Sequence, residues 1–210
     1  MNDEPEEQGK GLEPQRQRDG RVRIDAQRNI EALLQAAIEV FATSGVDAPV
    51  REIVEKAGVG IGTFYRHFPQ RADLVAAVFR HEIDACANAA PTLAAQYGPG
   101  EALARWMQRY AAFLGTKRGL AAALHSGNPA FEPLPAYFYE RLEPALRTLL
   151  ESAAAAGDVR ADFTAGDLLD AVASLCRSAY DHGPDHARRM VDLLVDGLRY
   201  GTSGSEERSS

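Results

Sequence analysis

The sequence predicts an all-α chain, and three observations carry that prediction. Between its two ends the 210-residue chain has no stretch that alternates polar and apolar residues with a period of two, the mark of a half-buried strand. Apolar residues recur instead every three or four positions, as they do along one face of a helix. Glycines and prolines gather between these stripes, where helices start and stop.

The elements follow in order. Residues 1–20 are rich in Glu, Gln, Pro and Gly and nearly free of apolar side chains, the composition of a disordered tail. The first helix follows, with Asp25 as its N-cap and Gly45 as its stop. Its stripe is Ile30, Leu33, Leu34, Ala37, Ile38 and Phe41. A short helix at about 49–56 has Pro49 in its first turn and Gly58 after its end. Another short helix covers about 60–67, and Pro69 breaks the pattern. A longer one spans about 71–90, with Leu74, Val75, Val78, Phe79 and Ile83 inward.

Beyond Gly98-Pro99-Gly100, one helix carries Leu103, Trp106, Met107, Tyr110 and Leu114, and a shorter one covers about 119–125. The next runs from near Pro133 to Ala156, with Pro144 as a kink point and Gly157 as a stop. Two more cover about 164–181 and 185–200, and residues 201–210, GTSGSEERSS, form a second disordered tail.

Composition bounds the class. Hydrophobic residues make up 45% and charged residues 25%, enough apolar material for a core. No apolar run reaches the roughly 18 residues needed to span a bilayer. The acidic N-terminus lacks the basic start and apolar stretch of a secretory signal, so a cytoplasmic protein without a membrane partner is expected. Cys86 and Cys176 have no motif spacing and read as reduced, buried thiols.

The net charge of -7 is unevenly spread. Residues 1–15 hold one Lys against five acids, residues 72–210 thirteen basic against eighteen acidic groups, and residues 16–71 nine basic against seven acidic. The basic excess thus falls in one segment, as a local phosphate-binding patch requires.

That segment contains REIVEKAGVGIGTFYRHFPQR, Arg51 to Arg71. Ile53 and Ala57 lie four apart on the first short helix, Phe64 and Phe68 four apart on the second. Gly58 supplies a left-handed turn, and Val59 is positioned to plug the angle between the helices. This is a helix-turn-helix, whose second helix enters the DNA major groove. Gly60, Gly62, Thr63, Tyr65, Arg66 and His67 occupy the opposite face. Two glycines in so short a helix cost about 1 kcal/mol each, which suits a helix that must approach another surface closely. Tyr65 and His67 are donors for phosphate, and Thr63 offers a methyl or hydroxyl group to a base edge.

The stretch RNIEALLQAAIEVFATSG followed by VREIVEKAGVGIGTFYRHFPQRADLVAAV resembles the TetR family of transcriptional regulators. The resemblance implies an N-terminal three-helix helix-turn-helix DNA-binding domain at 21–70. It further implies a helical ligand-binding and dimerisation domain at 71–200. In such proteins the residue matching Arg51 reaches a base, and those matching Ile61, Gly62, Thr63 and Arg66 face the major groove. Positions matching Tyr65, His67 and Arg71 contact phosphate. Ile61 departs from the polar or basic residue frequent there, which suggests apolar contact instead. Arg16, Arg18, Arg21 and Arg23 form a basic arm with two open readings, a minor-groove arm or a solvated linker.

The C-terminal part resembles the family's regulatory domain, where a small-molecule effector binds among the helices. Trp106, Tyr110, Phe113, His125, Tyr137, Phe138, Leu142 and Cys176 are candidates to line its pocket, and plain core is the competing reading for each. The stripes Leu168, Val172, Leu175 and Met190, Leu193, Leu194, Leu198 suggest a four-helix homodimer interface, or closure of the monomer core. His182, Asp185 and His186 flank the Gly183-Pro184 loop and lose helical ligand spacing, so no metal is expected. Neither a cofactor motif nor a catalytic one is present: there is no G-x-S-x-G elbow, phosphate-binding loop or Cys cluster. The expectation is a homodimeric, effector-responsive repressor of a near-palindromic double-stranded operator. An activator, or an enzyme or ligand-storage protein with a relic DNA-binding head, are the alternatives; Tyr65, His67 and Arg71 argue against a relic.

Overall fold

The structure, a computed structural model, describes residues 13–116, 126–178 and 184–200. Among the described residues there are eight α-helices and one short 3-10 turn. The chain divides into two compact units at Gln70/Arg71.

The first unit holds α1 (Glu13–Ser44), α2 (Val50–Ala57) and α3 (Ile61–His67). α1 begins at Glu13, twelve residues before the cap expected at Asp25 and inside the segment expected to be a tail. The residues of 13–24 include no interior proline after Pro14, and Pro14 sits in the first turn, where its missing N–H breaks no helical bond. Asp25 lies within the helix and pairs with Arg28 three residues on, at 3.9 Å. The backbone of the basic stretch Arg16–Arg23 therefore belongs to α1.

Gly45, at φ +78°, ends α1, its N–H bonding the Phe41 carbonyl at 3.1 Å. α1 packs against α2, and Lys56 Nζ reaches Glu39 across them at 2.6 Å. Leu33, Leu34, Ala37, Val40, Ile53, Val54, Phe64 and Phe68 are buried.

The second unit holds α4 (Arg71–Gln96), α5 (Pro99–Thr116), the 3-10 turn (Pro129–Phe131), α6 (Leu134–Ala155), α7 (Ala165–Ser178) and α8 (Pro184–Tyr200). α5 packs against α4, α6, α7 and α8 and is the centre of this unit. α4 extends to Gln96, past the end expected near residue 90, and carries Pro91 inside it. Pro91 is exposed on an Ala-rich stretch, so the one backbone bond its ring removes is tolerated. α6 likewise continues across Pro144.

The α4–α5 corner is set by Gly100. Its N–H donates to Asp158 Oδ2 at 2.8 Å, and a Cβ at this position would lie 2.8 Å from Asp158 Cβ. α7 starts with a capping box: Thr164 Oγ1 accepts from Asp167 N–H at 3.2 Å, and Asp167 Oδ2 accepts from Thr164 N–H at 2.9 Å. The Thr164 N–H and, at 2.7 Å, its Oγ1–H both donate to Asp167 Oδ2 and hold that carboxyl below the usual carboxylate range. Arg160 N–H bonds the Leu198 carbonyl at 2.9 Å, tying the α6–α7 loop to the end of α8. The helix expected at 119–125, residues 1–12 and 201–210, and His182 lie outside the described residues.

Candidate functional site

The turn between α2 and α3 is built by Gly58. Its φ is +65°, a conformation that favours glycine. Gly58 N–H bonds Glu55 O at 3.3 Å and Val59 N–H bonds Val54 O at 3.1 Å, closing off the last carbonyls of α2. Val59 is only half-buried. Phe64 and Phe68 anchor α3 more firmly: they are 0% and 6% exposed, with ring centroids 5.7 Å apart.

Anchoring that face turns the other outward. Ile61 and Tyr65 are 49% and 53% exposed, large values for such side chains. Gly62 and Arg66 are exposed, and Thr63 and His67 half-buried. The Tyr65 ring stands edge-on to Phe64 at 5.2 Å, and the His67 ring lies 6.5 Å from Phe68. Both polar rings are thus held by the aromatic anchors beneath them.

Gly60 and Gly62 have no left-handed backbone, and a Cβ built on either meets nothing within 4 Å. Neither turn geometry nor internal packing calls for glycine there. Gly60 is the N-cap of α3, a position that accepts glycine, so only Gly62 inside the helix gives up propensity, about 1 kcal/mol.

On α2, Arg51 is exposed and its Nε donates to Glu55 Oε1 at 3.0 Å. Seven of the eight candidate DNA-facing residues lie on α2 and α3 of the first unit; Arg71 opens α4 of the second. Glu55 was missed by sequence reasoning, although its spacing of four from Arg51 marks a helical ion pair.

In the second unit, Trp106, Tyr110, Phe113 and Phe138 form one aromatic cluster. Trp106 and Tyr110 stack at 5.7 Å, Tyr110 lies 6.0 Å from Phe138, and Phe113 stacks on Phe138 at 6.5 Å. Phe79 of α4 joins through Phe113 at 5.8 Å, an addition the stripe on α4 already hinted at. The polar atoms of the cluster are bonded within the core. Trp106 Nε1 donates to the Cys86 carbonyl at 3.0 Å, and Tyr110 Oη to the Leu169 carbonyl at 3.3 Å. Burial pushes the Tyr110 hydroxyl far above the usual phenol range, and the Cys176 thiol up as well. Tyr137 Oη donates to Asp84 Oδ2 at 2.7 Å, and Leu142 is fully buried. His125 lies outside the described residues.

A groove of about 900 Å³ opens elsewhere on this unit, lined by α4, α5 and α8. Asn88, Thr92, Gln108, Arg109 and Arg188 are on its wall, and none of the expected pocket residues is.

Comparison with known proteins decides the family. Residues 33–78 match the model of bacterial regulatory proteins of the tetR family, and residues 98–200 match the C-terminal domain of SbtR-like transcriptional regulators. A TetR transcriptional regulator from Streptomyces coelicolor is 36% identical, with 81% of this chain and 98% of that one aligned at a TM-score of 0.69. The chain belongs to the TetR family. A second member of known structure, a TetR regulatory protein from Mycobacterium vanbaalenii, is 35% identical over 85% of this chain and 99% of its own, at a TM-score of 0.65.

Among curated relatives, the uncharacterised HTH-type transcriptional regulator YvdT of Bacillus subtilis is 47% identical over 49 residues. That match covers 23% of this chain and only 25% of the relative's length. The matched families are transcriptional regulators rather than enzymes. TetR regulators bind DNA and small-molecule ligands and usually form dimers. Among the described residues no helix is long and apolar enough to cross a membrane.

Proposed function

We propose that this TetR regulator is a homodimeric repressor that binds a near-palindromic operator through α3 and releases it when a small molecule binds the second unit. The observation that carries the reading is the outer face of α3. Gly60 and Gly62 leave open space beside an exposed Ile61 and Tyr65, a surface with no use inside the chain. Arg51, Ile61, Gly62, Thr63 and Arg66 then meet base edges, and Tyr65, His67 and Arg71 meet phosphate. A protein with this role works in the cytoplasm, beside its operator.

The homodimer is supported by α8. Leu193 is 66% exposed, and Met190 and Leu194 on the same helix and Leu175 on α7 are half-buried. Leu168, Val172 and Leu198, counted with them from the sequence, are instead buried in the subunit core at 2%, 1% and 2% exposure. The interface is therefore narrower than the stripes suggested and centres on Leu193.

The effector reading rests on the cluster of Trp106, Tyr110, Phe113, Phe138 and Cys176; the further candidate His125 lies outside the described residues. α4 follows directly on Gln70 and carries Phe79 and Cys86 of that cluster, so a ligand wedged there would tilt α4 and shift the first unit. Affinity then falls by population shift.

The test is titration of the purified full chain against a random duplex pool, followed by enrichment of the bound fraction. Recovery of a two-fold-related sequence with half-sites about one DNA turn apart is expected. Failure to retain any duplex at low salt would end the DNA-binding proposal.

A further inference from the structure

We infer that Ile61 reads the C5-methyl group of a thymine in each half-site, so that one T·A pair is selected by apolar contact rather than by a hydrogen bond. The inference rests on the DNA-binding proposal above and names what one position of that face recognises.

Ile61 is the first residue of α3, and the first residues of a recognition helix are those that meet base edges. It is a large hydrophobe left 49% exposed, while Phe64 and Phe68 fill the core beneath the helix. Its neighbours Gly60 and Gly62 bear no side chain and have open space where a Cβ would stand. Across three successive positions, then, Ile61 carries all the side-chain surface, and none of it can donate or accept a hydrogen bond.

Among the four bases only thymine offers the major groove an apolar group, its C5-methyl. The glycines on either side let the Ile61 methyl groups approach that group without a neighbouring side chain striking the adjacent base. The β-branched side chain has one strongly preferred rotamer in a helix, so little freedom is lost on contact. A polar or basic residue at this position would read guanine or adenine; isoleucine has no means to do so.

The experiment uses the full chain and the duplex enriched from the random pool. Each thymine is replaced in turn by uracil, which removes the methyl and leaves base pairing unchanged. At one thymine per half-site, uracil should weaken binding about fourfold, and about fifteenfold when both half-sites are changed, the scale of burying one methyl-sized group. 5-Methylcytosine at that position should bind more tightly than cytosine. In Ile61→Ala, whose exposed position leaves folding intact, the uracil and thymine duplexes should bind alike.

A duplex that is enriched and bound but has no uracil-sensitive thymine would overturn the inference and leave DNA binding standing. A uracil effect that persists undiminished in Ile61→Ala would also overturn it, because another residue would then be reading the methyl. Failure to enrich any duplex would overturn the DNA-binding proposal, and this inference with it.

Discussion

Arg51 Nε donates to Glu55 Oε1 at 3.0 Å, one turn along α2. Their side chains are 85% and 65% exposed, so the pair adds only a few tenths of a kcal/mol to helix stability. Its consequence lies at the proposed DNA face. The carboxylate engages Nε and leaves the two terminal amino groups of the guanidinium for a base edge, the donors that suit a bidentate contact with guanine.

In the proposed complex Glu55 also brings a negative charge near the phosphates. Glu55→Gln should therefore tighten binding to scrambled duplex while lowering the ratio of specific to non-specific affinity. Fluorescence polarisation on the enriched and scrambled duplexes checks both. An unchanged ratio would leave the pair as surface decoration.

Base readers and phosphate binders should separate by mutation. Arg51→Ala and Thr63→Ala should relax sequence preference, each good base contact being worth about 1–3 kcal/mol. His67→Ala should weaken every sequence alike, since backbone contacts carry no sequence information. Equal losses on all duplexes for the three variants would mean that the face has been assigned wrongly.

The second unit makes its own prediction at Gly100. An added Cβ would stand 2.8 Å from Asp158 Cβ, and the atom that must yield is the base of that side chain rather than a flexible tip. Gly100→Ala should destabilise the chain by about 1–3 kcal/mol, as overpacking does. Thermal melts of Gly100→Ala and of Gly98→Ala, where a Cβ meets nothing within 4 Å, make the comparison.

Burial also changes how the effector site should be probed. Trp106 is fully buried and bonded to the Cys86 carbonyl, so Trp106→Ala should cost about 3–5 kcal/mol of stability and confound any ligand response. Tyr110→Phe keeps the ring and removes only the hydroxyl bonded to Leu169, at about 1 kcal/mol. It should alter effector response while leaving effector-free DNA binding intact, measured by DNA titration with and without the effector. A Tyr110→Phe protein with unchanged response would move the pocket away from the hydroxyl.

The helical architecture and the turn at Gly58 were legible because each rests on local sequence: apolar spacing in one case, a glycine directly after the first short stripe in the other. Features that depend on a distant partner were not. Nothing near Gly100 announces Asp158, 58 positions away. Asp25 serves equally well as a cap or as an internal partner of Arg28, and only the course of the backbone chooses between them. The helix expected to end near residue 90 continues through Pro91, because a solvent-facing proline can ride inside a long helix. Periodicity found the stripes on α7 and α8 without telling which residues the subunit core covers, so Leu168, Val172 and Leu198 were grouped with Leu193. On α3 the outer residues were legible as a set; that Gly60 and Gly62 border open space was not.

The most direct test of the central claim is the salt dependence of DNA binding. Arg71 is the cation assigned to phosphate in each half-site, so counterion release at about -0.9 per phosphate contributes about -2 to the log–log slope, whereas the Tyr65 phenol hydrogen-bonds without releasing an ion. Binding to the enriched duplex is measured from low to moderate salt for the wild-type chain and for Arg71→Ala. A steep slope that shrinks by about two units in the variant, one phosphate lost per half-site, is the predicted result. A slope flatter than about -1, identical in both proteins, would contradict the proposal that this face binds DNA.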